Sequence, residues 1–141
     1  MRDGALFHIR VGARGKATDL TSAQTASALI AAARRYHELS HWWCELVLLM
    51  PDHLHAMLAF PSTTRMTVTV RNWKRGTKRF QNVPWQEGFF DHRLRNDTES
   101  NECWHYIRRN PVVKCLCADE AAWRWWWSAV TRNDLLDGDA A

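Results

Sequence analysis

The stretch from Trp42 to Phe60 constrains the fold more than any other part of the chain. Trp42 to Met50 has an unbroken apolar centre, Leu46-Val47-Leu48-Leu49, which predicts a strand buried on both faces. Pro51-Asp52 interrupts it, and His53 to Phe60 begins a second strand at once. A parallel pairing would need a long crossover, so this short link predicts an antiparallel hairpin.

The other elements are arranged around that hairpin. Leu6 to Val11 reads as a first strand, and Gly12 to Lys16 as a polar loop. Thr21 is the expected N-cap of an Ala-rich helix through about Glu38, with Ala26, Leu29, Ile30 and Ala33 at helical spacing. Thr63 to Phe80 reads as a second helix, although the β-branched run Thr67-Val68-Thr69-Val70 and Gly76 both work against it. Trp85 to Leu94 is a short extended segment. Asp97 or Thr98 would cap a third helix to about Arg109, which Pro111 is expected to end. Val112 to Cys117 is briefly apolar, Asp119 opens a short Trp-rich helix, and the end from about residue 133 is expected to fray. The order strand, helix, strand, strand, helix, strand, helix predicts one α+β domain over residues 1–141, with helices packed on an antiparallel sheet.

Composition narrows the function classes. With 141 residues, 46% of them hydrophobic and 24% charged, the chain can bury a core and is not disordered overall. The net charge of +4 says little by itself, but its distribution says more. Arg65, Arg71, Lys74, Arg75, Lys78 and Arg79 fall in one stretch without an acidic residue, whereas Asp134 to Asp137 is acidic. Arg71, Lys74, Arg75 and Lys78 stand at i, i+3, i+4 and i+7, one face of a helix. That face is either an ordinary solvated surface or a phosphate-binding stripe. No run approaches the ~20 apolar residues that span a bilayer, and the first ten residues lack a signal-peptide core, so no membrane is expected and the expected location is the cytoplasm. Cys44, Cys103, Cys115 and Cys117 match no zinc spacing and read as buried, reduced thiols. Most of the nine tryptophans should pack inside, with one or two left as a possible base-stacking platform.

Two constellations carry chemistry. His53 and His55 lie two apart on a strand, so they share a face while Leu54 points to the other. Their imidazoles can converge on one metal ion, although any half-exposed His-x-His strand has the same spacing and a third ligand must come from elsewhere. Tyr106 and Asn110 stand at i and i+4 on the third helix, so a phenol and an amide share its face. An amphipathic helix with a surface tyrosine has the same spacing.

The surrounding residues decide between these readings. Leu48-Leu49-Met50-Pro51-Asp52-His53-Leu54-His55-Ala56-Met57-Leu58 resembles the strand-turn-strand signature of the IS200-like, single-tyrosine transposases of the HUH superfamily. Tyr106-Ile107-Arg108-Arg109-Asn110-Pro111-Val112, with the Trp-rich patch after it and Trp85 to Arg95 before it, is similar to REP-associated tyrosine transposases, a branch of that family. The similarity runs from about Phe7 to Ser128. Two departures stand out: Lys114-Cys115-Leu116-Cys117 where the family has Arg-x-Gly-Leu-Val, and Trp125-Trp126-Trp127-Ser128 where it has Trp-x-Trp-Ser.

The resemblance implies a ferredoxin-like (RRM-like) HUH nuclease fold. It implies that His53 and His55 bind a divalent metal, Mg²⁺ or Mn²⁺, with Asn110 where the broader family often has a Gln ligand. It implies that Tyr106 attacks a DNA phosphate to give a 5′-phosphotyrosine, with hairpin-bearing single-stranded DNA as substrate. The basic stripe Arg65, Arg71, Lys74, Arg75, Lys78 and Arg79, with Arg108 and Arg109, then supplies the expected phosphate contacts. Monomer and homodimer both remain open. Two rival functions also remain: a domesticated binding module without activity, and a hydrolase that uses metal-bound water and does not need Tyr106.

Overall fold

A computed structural model describes residues 4–16 and 18–130. The acidic stretch at Asp134 to Asp137 and the end expected to fray lie outside the described residues. The elements are β1 (Leu6–Gly12), α1 (Ala23–Glu38), β2 (Trp43–Met50), β3 (His53–Ala59), α2 (Met66–Gln81), β4 (Phe90–Leu94), α3 (Asp97–Val113) and β5 (Trp126–Trp127). They form an α+β fold on one five-stranded antiparallel sheet, in the order β4-β1-β3-β2-β5.

The hairpin read from the sequence lies at the heart of this sheet. Met50 pairs with His53 across the Pro51-Asp52 turn, and β3 is buried along its whole length between β1 and β2. Period-two alternation sorts the strand residues into two cores. Ile9, Val11, Leu49, Leu54, Ala56 and Leu58 face one way, against Ala26, Leu29 and Ala33 of α1 and Trp73 of α2. Leu6, Leu46, Leu48, Met50 and Met57 face the other way, against Trp104 and Ile107 of α3. His53 and His55 have the parity of Met57, so they belong to the α3 face.

Four elements differ in detail from the sequence reading, while α2 is a helix as expected. The N-cap of α1 is Ser22, because Asp19 draws Thr21 into a turn by accepting both its backbone N–H and its hydroxyl. Helix α2 runs unbroken through Thr67-Val68-Thr69-Val70. Thr69 and Val70 are buried, and packing outweighs a propensity cost of a few tenths of a kcal/mol per residue. Asn96, not Asp97 or Thr98, caps α3 by accepting from the Glu99 N–H.

Pro111 does not end α3, which continues to Val113. The missing proline N–H falls in the last turn, where little helix remains to be disrupted. The terminus closes in a Schellman motif: Leu116 N–H donates to the Pro111 carbonyl and Cys115 N–H to Val112, with Cys115 at φ 60°. The expected Trp-rich helix is a three-residue 3₁₀ turn, Glu120–Ala122, capped by Asp119 as anticipated. The tryptophans after it form β5 against β2, which suits the β-propensity of aromatic residues.

None of the nine tryptophans is exposed, and Trp42, Trp73 and Trp85 pack in series with tilted rings at 5.8 Å centroid spacings, so the interior reading holds for them. The four cysteines are all thiols, but only Cys44 is buried; Cys115 is exposed on the Schellman turn. None of the described helices is long and apolar enough to cross a membrane.

Candidate active site

Strand β3 delivers His53 and His55 to the α3 face, and α3 delivers Tyr106 and Asn110 from above. The two imidazoles meet at their Nε2 atoms, 3.2 Å apart. The Asn110 side-chain amide donates to His55 Nε2 at 2.9 Å. Tyr106 stands over this group with its ring 6.0 Å from that of His55, and is 61% exposed. The four residues named from the sequence therefore converge.

With the Asn110 amide nitrogen turned to His55, the hydrogen bonds suit one arrangement of the ring protons. Asp52, the turn residue before His53, accepts from His53 Nδ1–H at 2.7 Å, which leaves the His53 Nε2 lone pair free to point inward. His55 accepts from Asn110 on Nε2, so its proton sits on Nδ1 and donates to His8 Nε2 at 3.0 Å. Burial, reinforced by His53 and His8, holds the His55 pKa down at about 2. Burial also lowers His53, outweighing the hydrogen bond to Asp52. Both imidazoles are thus neutral at pH 7, and their lone pairs face each other across 3.2 Å.

Two facing lone pairs repel, and a cation between them relieves the repulsion. Metal–nitrogen bonds of about 2.1 Å to atoms 3.2 Å apart subtend an angle of about 100°, close to octahedral or tetrahedral geometry. A half-turn of the Asn110 amide would replace its donor Nδ2 by the acceptor Oδ1 on the same spot. Among the described residues no group of three His, Cys, Asp or Glu side chains is arranged as a metal site. The convergent donors here are two imidazoles and one amide, a set that fits a divalent ion with positions left open.

His8 and Asp52 act through these histidines, and sequence reasoning gave neither a role. His8 lies on β1, one strand away from β3, and only the sheet register brings it to His55. Arg10 pairs with His55 across the same strands. Arg10, Lys16 and Lys114 line the cleft that holds His53, Asn110 and Tyr106. Thus cations adjoin the site, though not the ones expected.

The expected DNA contacts are scattered. Arg65 caps α2, and Arg71, Lys74, Arg75, Lys78 and Arg79 lie on that helix, in the layer across the sheet from His53 and His55. Lys74 is committed to structure, donating to the backbone carbonyls of Gln86 and Gly88 at 2.7 and 2.6 Å. Arg109 is exposed and lies 3.6 Å from Glu120. Arg108 must be corrected: it is buried, its guanidinium lies 4.0 Å over Trp126, and it donates to the Glu120 carbonyl. Two adjacent arginines on a helix point about 100° apart, so only one of them can face solvent here. Arg108→Ala should lower stability by about 1–3 kcal/mol in a denaturant melt, through lost packing and cation–π contact.

No family model matches the sequence, and no curated protein matches it. Solved structures do match in fold. A REP-associated tyrosine transposase bound to a REP hairpin superposes with a TM-score of 0.77 at 20% identity, over 98% of this chain and 82% of the other. A protein of Deinococcus radiodurans R1 assigned as a transposase superposes with a TM-score of 0.54 at 14% identity, over 77% of this chain and 97% of the other. The α+β fold implied by the sequence resemblance is therefore the observed one.

Proposed function

We propose that this chain is a metal-dependent single-stranded DNA endonuclease and strand transferase that works through Tyr106. The observation that carries the reading is the convergence of the His53 and His55 Nε2 lone pairs and the Asn110 amide beneath an exposed tyrosine. The likeness in fold to a transposase bound to a REP hairpin supports a transposase, and supports hairpin-bearing DNA as its substrate.

His53, His55 and Asn110 would hold Mg²⁺ or Mn²⁺, and the imidazoles favour Mn²⁺ in vitro. The ion, when bound, supplies polarisation of the scissile phosphate and neutralisation of its charge. Arg10, Lys16 and Lys114 draw the phosphate backbone into the cleft. The Tyr106 oxygen attacks phosphorus as its phenolic proton leaves. The bond to the 3′-oxygen of the preceding nucleotide breaks, and that oxygen takes up a proton. The product is a 5′-phosphotyrosine and a free 3′-hydroxyl. Attack by a 3′-hydroxyl reverses the step, so strands rejoin without ATP. A hairpin stem reaching past the site would use exposed cations such as Arg109, and across the sheet Arg65, Arg71, Arg75, Lys78 and Arg79, for positioning.

The test is incubation with a labelled single-stranded hairpin and Mn²⁺, followed by a denaturing gel. The expected result is a slow-migrating protein–DNA adduct. Cleavage without any adduct would indicate a hydrolase that uses metal-bound water, and binding without cleavage a non-catalytic module. Asp52 offers an independent check on the metal site. Asp52→Ala removes the acceptor that fixes the His53 tautomer and should weaken Mn²⁺ binding by about 10–100-fold in a titration. Asp52→Asn keeps an acceptor oxygen and should lose much less.

A further inference from the structure

A second cleft adjoins Tyr106 on the side away from His53. Strand β4 is the sheet edge, and its α3 face carries Phe90, His92 and Leu94, paired in register with Arg10, His8 and Leu6. Helix α3 starts directly after β4 and covers Leu94, but leaves Phe90 uncovered and 52% exposed. The opposite wall is a single stripe of α3. Glu99, Glu102, Cys103 and Tyr106 stand at i, i+3, i+4 and i+7, so the stripe ends on the proposed nucleophile. The cleft thus has an aromatic plate at its mouth, Tyr106 at its inner end and carboxylates along one wall.

Its chemistry differs from the first cleft's, although the two share Arg10, His55 and Tyr106. In the first, Lys16 and Lys114 join Arg10 to supply positive charge beside His53. Here Arg10 is met by two carboxylates of the helix stripe, and His92 donates to Glu99 at 2.9 Å. Carboxylates repel phosphate but accept from the amino groups of bases. An exposed aromatic ring beside them offers a stacking surface, and every base has a face to stack. With all nine tryptophans wholly or partly buried, Phe90 is the aromatic left to do this next to Tyr106. Its ring already stands edge-on to His8 at 5.7 Å, which steadies it from below.

We propose that this cleft binds one unpaired nucleobase flanking the scissile phosphate, stacked on Phe90 and read through its exocyclic amino group by Glu102 and the His92–Glu99 pair. Adenine, cytosine and guanine carry such a group. Thymine offers one imide N–H flanked by two carbonyl oxygens, which a carboxylate repels. The backbone lies along Lys16 and Lys114, the base against Glu99 and Glu102, and Arg10 stands where the two clefts meet, so the phosphate between them is presented to the phenol. This rests on the single-stranded DNA reading above and adds a preference against thymine next to the cut.

The experiment is fluorescence anisotropy with labelled dA₁₂, dC₁₂ and dT₁₂ in EDTA, which separates base binding from metal-dependent chemistry. The wild-type protein should bind dA₁₂ and dC₁₂ about tenfold more tightly than dT₁₂. Phe90→Ala should weaken binding of all three about tenfold, and Phe90→Trp should restore it. Glu102→Ala should reduce the preference against dT₁₂ without the same loss of dT₁₂ affinity. Phe90 is half exposed, and a thermal melt of each variant confirms that it is folded. Equal binding of all three oligonucleotides, or Phe90→Ala binding like wild type, overturns the proposal. If either occurs while the Mn²⁺ adduct still forms, the base cleft is wrong and the transferase stands. If Phe90 and Glu102 behave as stated and no adduct forms, the cleft stands in a binding protein and the transferase is wrong.

Discussion

Tyr106→Phe should abolish the covalent protein–DNA adduct and lower strand cleavage by about 10⁴-fold or more, the scale on which a lost nucleophile costs an enzyme. The substitution removes one oxygen atom. That oxygen sits on a side chain 61% exposed, so folding stability should move by less than about 0.5 kcal/mol. The ring contacts with His8 and His55 are kept, and so are His53, His55 and Asn110. Mn²⁺ affinity should therefore match wild type. Full loss of chemistry with intact metal binding and intact stability is a combination that a merely structural tyrosine would not give.

His55→Ala should fail in a different way. His55 is 2% exposed and is the hub of the site, touching His8, His53 and Asn110 through its two nitrogens. Its removal takes one of two imidazole donors and unfixes the other partners. Mn²⁺ binding, followed by electron paramagnetic resonance or calorimetry, should weaken by at least about 100-fold, and cleavage should fall below detection. The variant should also lose about 2–4 kcal/mol in a metal-free melt, because it leaves a buried gap with the Asn110 amide and His8 unpaired. Metal binding retained in His55→Ala would show that the ion, if any, lies elsewhere. The two variants together separate metal capture from nucleophilic attack.

The parts of this site that could be read from the sequence are those fixed by local geometry. His53 and His55 share a face because side chains alternate along a strand, and Tyr106 and Asn110 because a helix repeats near four residues. Leu46 to Leu49 marked β2 as a buried interior strand by length and apolarity alone. The motif resemblance then linked two segments that spacing could not link. The misses have a common cause. His8 reaches His55 only through the β1–β3 register, which no local pattern specifies. Arg108 and Arg109 look alike in sequence, and tertiary packing against Trp126 decides which of them is buried. The α2 stripe had the right charge and the right helical face, but the strand parity that sends His53 toward α3 puts α2 in the opposite layer. Pro111 shows the same limit on a smaller scale, since the Schellman closure that makes it harmless depends on residues after it.

The central claim is that Tyr106 becomes covalently joined to the 5′ end of cleaved DNA. Its most direct test is mass spectrometry of the wild-type protein after reaction with single-stranded hairpin DNA and Mn²⁺, followed by nuclease trimming and trypsin digestion. Tyr106 falls in the tryptic peptide 96–108, between Arg95 and Arg108. The expected result is that peptide carrying a 5′-linked nucleotide on Tyr106, with the other DNA fragment ending in a free 3′-hydroxyl. Cleaved DNA with the 96–108 peptide unmodified, or a nucleotide on any other residue, would contradict the account.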